Sequence, residues 1–131
     1  YTDGSWILKG GPDDLSGGKA GAYAGNSTAL SADGNVVVVG ATEYDYTNNI
    51  AAGRAQVFDY TYGSWVQRGS DLSGGQAGAL AGTSTALSED GNVVAVGAMA
   101  YNNAGRVQVF DYSDKINLSD IIDSIITGDS I

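Results

Sequence analysis

Hydrophobic positions along this chain gather into short β-type runs, and the runs come round twice. Val36-Val37-Val38-Val39 and Val93-Val94-Ala95-Val96 are apolar without interruption. Such a run, rich in β-branched residues, belongs to a strand covered on both faces. Each is preceded by Leu-Ser-x-Asp-Gly-Asn and followed by Gly-Ala. Asp-Gly between two β-prone segments marks a hairpin, because Gly accepts positive φ at little steric cost. The pattern predicts strands over 27–31 and 36–41, joined by Ala32-Asp33-Gly34-Asn35, and over 84–88 and 93–98, joined by Glu89-Asp90-Gly91-Asn92.

Further strands follow from alternation. Over 54–60, Ala55 and Val57 alternate with Gln56, Phe58 and Tyr60; over 106–112, Val107 and Val109 alternate with Gln108, Phe110 and Tyr112. One face is aliphatic and the other carries the aromatics, so both have something to pack against. Segment 64–68, with Gln67 and Arg68, reads as a polar edge strand. Its Trp65 has a counterpart in Trp6, which makes 4–9 another segment of that edge type. Blocks recurring in one order at a period of roughly 50 residues mean that a single supersecondary unit is stacked. Residues 4–62 and 63–114 are thus expected to form two four-stranded antiparallel repeats, followed by a tail over 115–131. Inner strands covered on both faces, with Gly40-Ala41 and Gly97-Ala98 as small residues near an axis, predict an all-β fold of β-propeller blades. A β-sandwich explains the alternation equally well, but not two near-identical units in series.

Leu-Ser-x-Asp-Gly-Asn-Val-Val-x-Val-Gly-Ala, then Gly-Arg-x-Gln-Val-Phe, then Gly-Ser-Trp, resembles the FG-GAP-type β-propeller repeat family, in the form lacking a calcium loop. The resemblance covers about residues 4–112. It implies a propeller, an extracellular or cell-surface location, and a role in adhesion or ligand binding rather than catalysis. Repeats of that family with calcium carry Asp-x-Asp-x-Asp-Gly, where this chain has only Ala32-Asp33-Gly34 and Glu89-Asp90-Gly91, so no metal or other cofactor is expected.

Propellers close with about four to eight blades, so two repeats leave a ring open. The chain is therefore expected to be a piece of a longer propeller or to close the ring as a homo-oligomer, with a trimer of six blades favoured as central in the allowed range. No Gly-Ser-Trp follows Tyr112, whereas a spare edge segment precedes the first hairpin. Head-to-tail closure would bring Trp6, Ile7 and Leu8 of one chain beside Val107 and Val109 of the next. In the tail, Leu118, Ile121, Ile122, Ile125 and Ile126 form one apolar stripe at helical spacing. A short C-terminal helix is predicted, capped by Ser119 or Asp120, ended by Gly128, and docked on its own blade, docked on a neighbour or across the ring surface, or belonging to a truncated downstream domain.

Composition narrows the chemistry. The 131 residues include no Cys and no His, which excludes disulfides, thiol nucleophiles, Ser-His-Asp triads and the usual zinc ligands. A net charge of −9, with only six scattered Lys and Arg, offers no surface for nucleic acid or anionic membranes. No apolar run approaches the roughly 20 residues that span a bilayer. Carboxylates are nowhere arranged as an acid/base pair, and Asp13-Asp14 reads as a solvated turn. Asp59 and Asp111, inside strands beside aromatics, are expected to bond backbone. The candidate ligand-binding residues lie in two loops: Tyr44, Tyr46, Asn48 and Asn49, and Tyr101, Asn102 and Asn103. Aromatic faces beside amides suit a carbohydrate or a protein ligand. The expected function is a non-enzymatic binding or adhesion module. The alternative is a structural repeat piece of a larger surface protein, with no ligand of its own.

Overall fold

The computed structural model describes residues 4–11, 15–47 and 49–112, and its regular structure is almost entirely antiparallel β. The first sheet comprises β1 (Ala24–Leu30), β2 (Val36–Ala41), β3 (Arg54–Thr61) and β4 (Ser64–Gln67) in that order, with a short β5 (Leu72–Ser73) also pairing with β3. The second comprises β6 (Ala81–Leu87), β7 (Val93–Ala98) and β8 (Arg106–Asp111). β4 and β5 lie beyond the boundary expected at residue 62, yet both extend the first sheet. The predicted tail helix and Asp13-Asp14 fall outside the described residues, as does Asn48.

The two sheets share one register. Val38 stands opposite Ala29 and Val57, and Ala95 opposite Ala86 and Val109. Each hairpin turn is built by the same three side-chain bonds. Ser31 Oγ donates to Asp33 Oδ1 (2.8 Å), which also accepts from the Asn35 N–H (2.9 Å), while Ser31 Oγ accepts from the Val36 N–H (3.0 Å). Ser88, Asp90, Asn92 and Val93 repeat the arrangement at matching distances. Gly34 and Gly91 take the left-handed backbone at φ 75° and 76°. β1 and β6 begin three residues before the expected strands, because a register irregularity lies between Ala24 and Ser27 and again between Ala81 and Ser84. Gly25 and Gly82, at φ 91° and 90°, make these bulges possible.

The core lies between the sheets. Val36, Val38, Ala55 and Val57 of the first sheet meet Ala81, Val94, Val96 and Ala98 of the second. β1, β2 and β3 all pack against β6. A Cβ on Gly40 would run into the carbonyl oxygen of Gly82, so the strands approach to backbone contact there. Ser27 Oγ donates to that same carbonyl (2.6 Å) and accepts from Thr85 Oγ1 (3.1 Å). Both sheets are thus needed to bury either one.

Asp59 departs from expectation. Its carboxylate accepts from Arg68 Nε (2.7 Å) and Nη2 (2.6 Å), a bidentate pair with the residue just past β4 rather than a backbone bond.

Candidate functional site

The two candidate loops connect the second and third strands of their sheets, Thr42–Gly53 in the first repeat and Met99–Gly105 in the second. Both open with a tyrosine under an arginine. The Arg54 guanidinium lies 3.5 Å from the Tyr44 ring centroid, and that of Arg106 lies 3.7 Å from Tyr101. Lys19 Nζ adds a second cation 4.5 Å from Tyr44, and Tyr46 meets Tyr44 edge to face at 5.0 Å. The rings are therefore already engaged by the protein's own cations.

Tyr46 and Asn49 bond each other through backbone N–H and carbonyl groups at 3.0 and 3.1 Å, closing the first loop on itself. Asp45 Oδ1 accepts from the Ala51 N–H (2.6 Å), which holds Ala51 at φ 54°. In the second loop Tyr101–Asn103 form a 3-10 turn, and Asn102 and Asn103 adopt φ 54° and 57°. Asn tolerates that left-handed region better than most residues, so these two shape the turn while exposing their amides. The structure brings Tyr44, Tyr46 and Asn49 into one loop cluster, and Tyr101, Asn102 and Asn103 into another.

Sequence reasoning missed the hub beside the first cluster. Asp71 accepts from Tyr46 Oη (2.9 Å), Arg54 Nη1 (2.8 Å), Gln56 Nε2 (2.9 Å) and Gln67 Nε2 (2.8 Å). Partial burial works to raise its carboxyl pKa, but the four donors together outweigh burial and hold it below the ordinary carboxylate value. The Tyr46 phenol is pushed well up, first by desolvation and then by its bond to that carboxylate. Asp71 thus stays ionised and Tyr46 stays protonated. The only signal available was that Asp71, Arg54 and the two glutamines are polar residues in or beside β-type segments; their convergence needed the fold.

A second feature, also invisible in the sequence, is an open cleft of about 200 Å³ between the sheets at their outer edge. Its floor is Val57, Leu72, Val94 and Phe110, and its mouth carries Arg68, Gly69 and Tyr112. Small-molecule sites usually occupy about 300–1,000 Å³, so this cleft is sized for a side chain. Arg68 spans the mouth, donating to Gly91 O (2.9 Å) and Asn92 Oδ1 (3.1 Å), with its guanidinium 4.6 Å from the Tyr112 centroid.

Among the described residues no three His, Cys, Asp or Glu side chains converge as metal ligands. Asp33 and Asp90, the carboxylates of the expected loop positions, are instead held below their ordinary pKa, first by the backbone N–H groups of Asn35 and Asn92 and then by Ser31 and Ser88. Trp6, Ile7 and Leu8 are exposed. So are Val107 and Val109, at 69% and 66%, although their counterparts Ala55 and Val57 are 0% and 7% exposed. Compared with family models, curated proteins and solved structures, the chain matches none.

Proposed function

We propose that the chain is a non-enzymatic repeat module of the propeller type, whose sheets are successive blades and whose Thr42–Gly53 and Met99–Gly105 loops present a recognition surface. The observation that carries this reading is the repetition itself. Two sheets of identical register stack face to face through valine and alanine, and each places a Tyr-Asn loop at the same position. Asn102, Asn103 and Asp45 offer exposed groups suited to sugar hydroxyls or to the backbone of a protein ligand. The resemblance to FG-GAP-type repeats and the cell-surface role it implies agree with this reading.

A glycan array probed with the full chain tests it, alongside an Asn102→Ala/Asn103→Ala variant. Binding by the parent that falls at least roughly tenfold in the variant is expected, the loss of about 1.4 kcal/mol that one or two neutral hydrogen bonds supply. Absence of glycan binding, together with no change in capture of extracellular-matrix proteins, would leave the second reading. That reading is a structural repeat without a ligand, and it is favoured by one observation: the faces of Tyr44 and Tyr101 are already covered by arginine.

A further inference from the structure

We propose that residues 4–9 of a second copy of this chain add an outer strand to the second sheet, which has three strands among the described residues, with the copy's Trp6 indole seated in the cleft beside Gly69 and Tyr112. The template is the junction the chain already makes with itself. In the first sheet Trp65, on β4, donates its Nε1–H to Lys9 O (3.1 Å) and lies edge-on to Tyr60 with centroids 5.3 Å apart. It also presses on Gly10, where a Cβ would lie 2.7 Å from the indole. By the repeat, Lys9, Gly10 and Tyr60 correspond to Arg68, Gly69 and Tyr112, and these three form the mouth of the open cleft. A Cβ on Gly69 meets nothing within 4 Å. Among the described residues nothing takes, in the second repeat, the place that Trp65 fills in the first, and Trp6 is the matching side chain, fully exposed.

Charge and backbone follow the same correspondence. Arg68 joins the two repeats, binding Asp59 in its own sheet and the Gly91 carbonyl of the next hairpin. Lys9 makes the second half of that bridge, donating to Gly34 O (2.8 Å) and Asn35 Oδ1 (2.7 Å) beside Tyr60 (4.6 Å). Its Asp59-type partner would be Asp111 of the other copy, which is exposed at the end of β8. Along the inner edge Gly53 bridges Ala81 in parallel, and the equivalent pair is Gly105 with Ala24 of the second copy. Val107 and Val109, exposed here, would then be covered as Ala55 and Val57 are, by the face that carries the second copy's Leu30 and Phe58. Such an interface is heterologous, using different surfaces on each partner, and it closes into a ring when the rotation allows.

The test is the mass of the full-length chain by light scattering, with thermal unfolding of each variant as a control for folding. A multiple of 13.3 kDa is expected. Trp6→Ala and Val107→Glu, both at positions exposed in the single chain, should raise the dissociation constant roughly tenfold or more, as loss of a central anchor does. Asp111→Lys should weaken assembly and Lys9→Glu/Asp111→Lys should regain it, whereas Lys9→Glu alone should not. A single-chain mass for the parent would overturn the proposal. So would assembly indifferent to Trp6→Ala and Val107→Glu, or assembly abolished only by deleting residues 113–131. The outcome is independent of the glycan array, because none of these residues lies in the two loops.

Discussion

Gly40 shows how much of this molecule turns on the absence of a single methyl group. Its backbone is not left-handed, so no conformational demand calls for glycine; the demand comes from Gly82 across the interface. Gly40→Ala is expected to force the sheets apart and destabilise the chain by about 1–3 kcal/mol, measured by chemical denaturation. Asp71 makes the electrostatic counterpart. Its folded pKa is lowered, so its stabilising contribution is present above the unfolded carboxylate range and is lost as pH falls through the folded value. Asp71→Asn should therefore reduce stability at neutral pH and flatten that part of the acid unfolding curve. Neither role was legible beforehand. Gly40 read as a small residue near an axis, and nothing local to Asp71 announces that four donors converge on it.

At the scale of elements, the hairpins carry most of what could be read directly. Leu-Ser-x-Asp-Gly-Asn-Val specifies a closed set of local bonds, and these need no tertiary partner. Asp33→Ala should lower the thermal midpoint and Asp33→Asn should lower it less, since the amide oxygen still accepts from the Asn35 N–H. The same pair at Asp90 should behave alike, because the second turn is built from the same bonds. Strands β2 and β7 fall where the uninterrupted apolar runs placed them. β1 and β6 start earlier because a bulge at Gly25 and Gly82 carries the chain into the ladder, and glycine at those positions reads only as flexibility. β5 was not legible at all, since Leu72-Ser73 pairs with a strand of the preceding repeat.

For the whole molecule, the core is the interface between two sheets and not the interior of either. A fragment spanning 76–112 carries three strands whose buried residues would face water. Such a fragment is expected to show no cooperative unfolding transition by circular dichroism, while the full chain shows one. Arg68 contributes at this scale too, because it ties Asp59, Gly91 and Asn92 together across the junction. With its side chain only 15% exposed, Arg68→Ala should destabilise the chain by about 2 kcal/mol, checked by urea denaturation. Arg68→Lys should recover only part of that, because an ammonium cannot grip both Asp59 oxygens.

The sequence alone determined the all-β class, the hairpins, the twofold recurrence and the division of each third strand into an aliphatic and an aromatic face. Those properties are local, written in alternation and in turn chemistry that act over a few residues. Only the tertiary structure decided which faces are covered. Ala55 with Val57 and Val107 with Val109 are nearly the same sequence on equivalent strands of the two sheets, yet one pair is buried and the other lies open. Burial belongs to the neighbour that arrives and not to the residue that waits for it. For the same reason Trp65 and Trp6, alike in sequence, stand in opposite conditions: one packed on Gly10 and Tyr60, the other exposed.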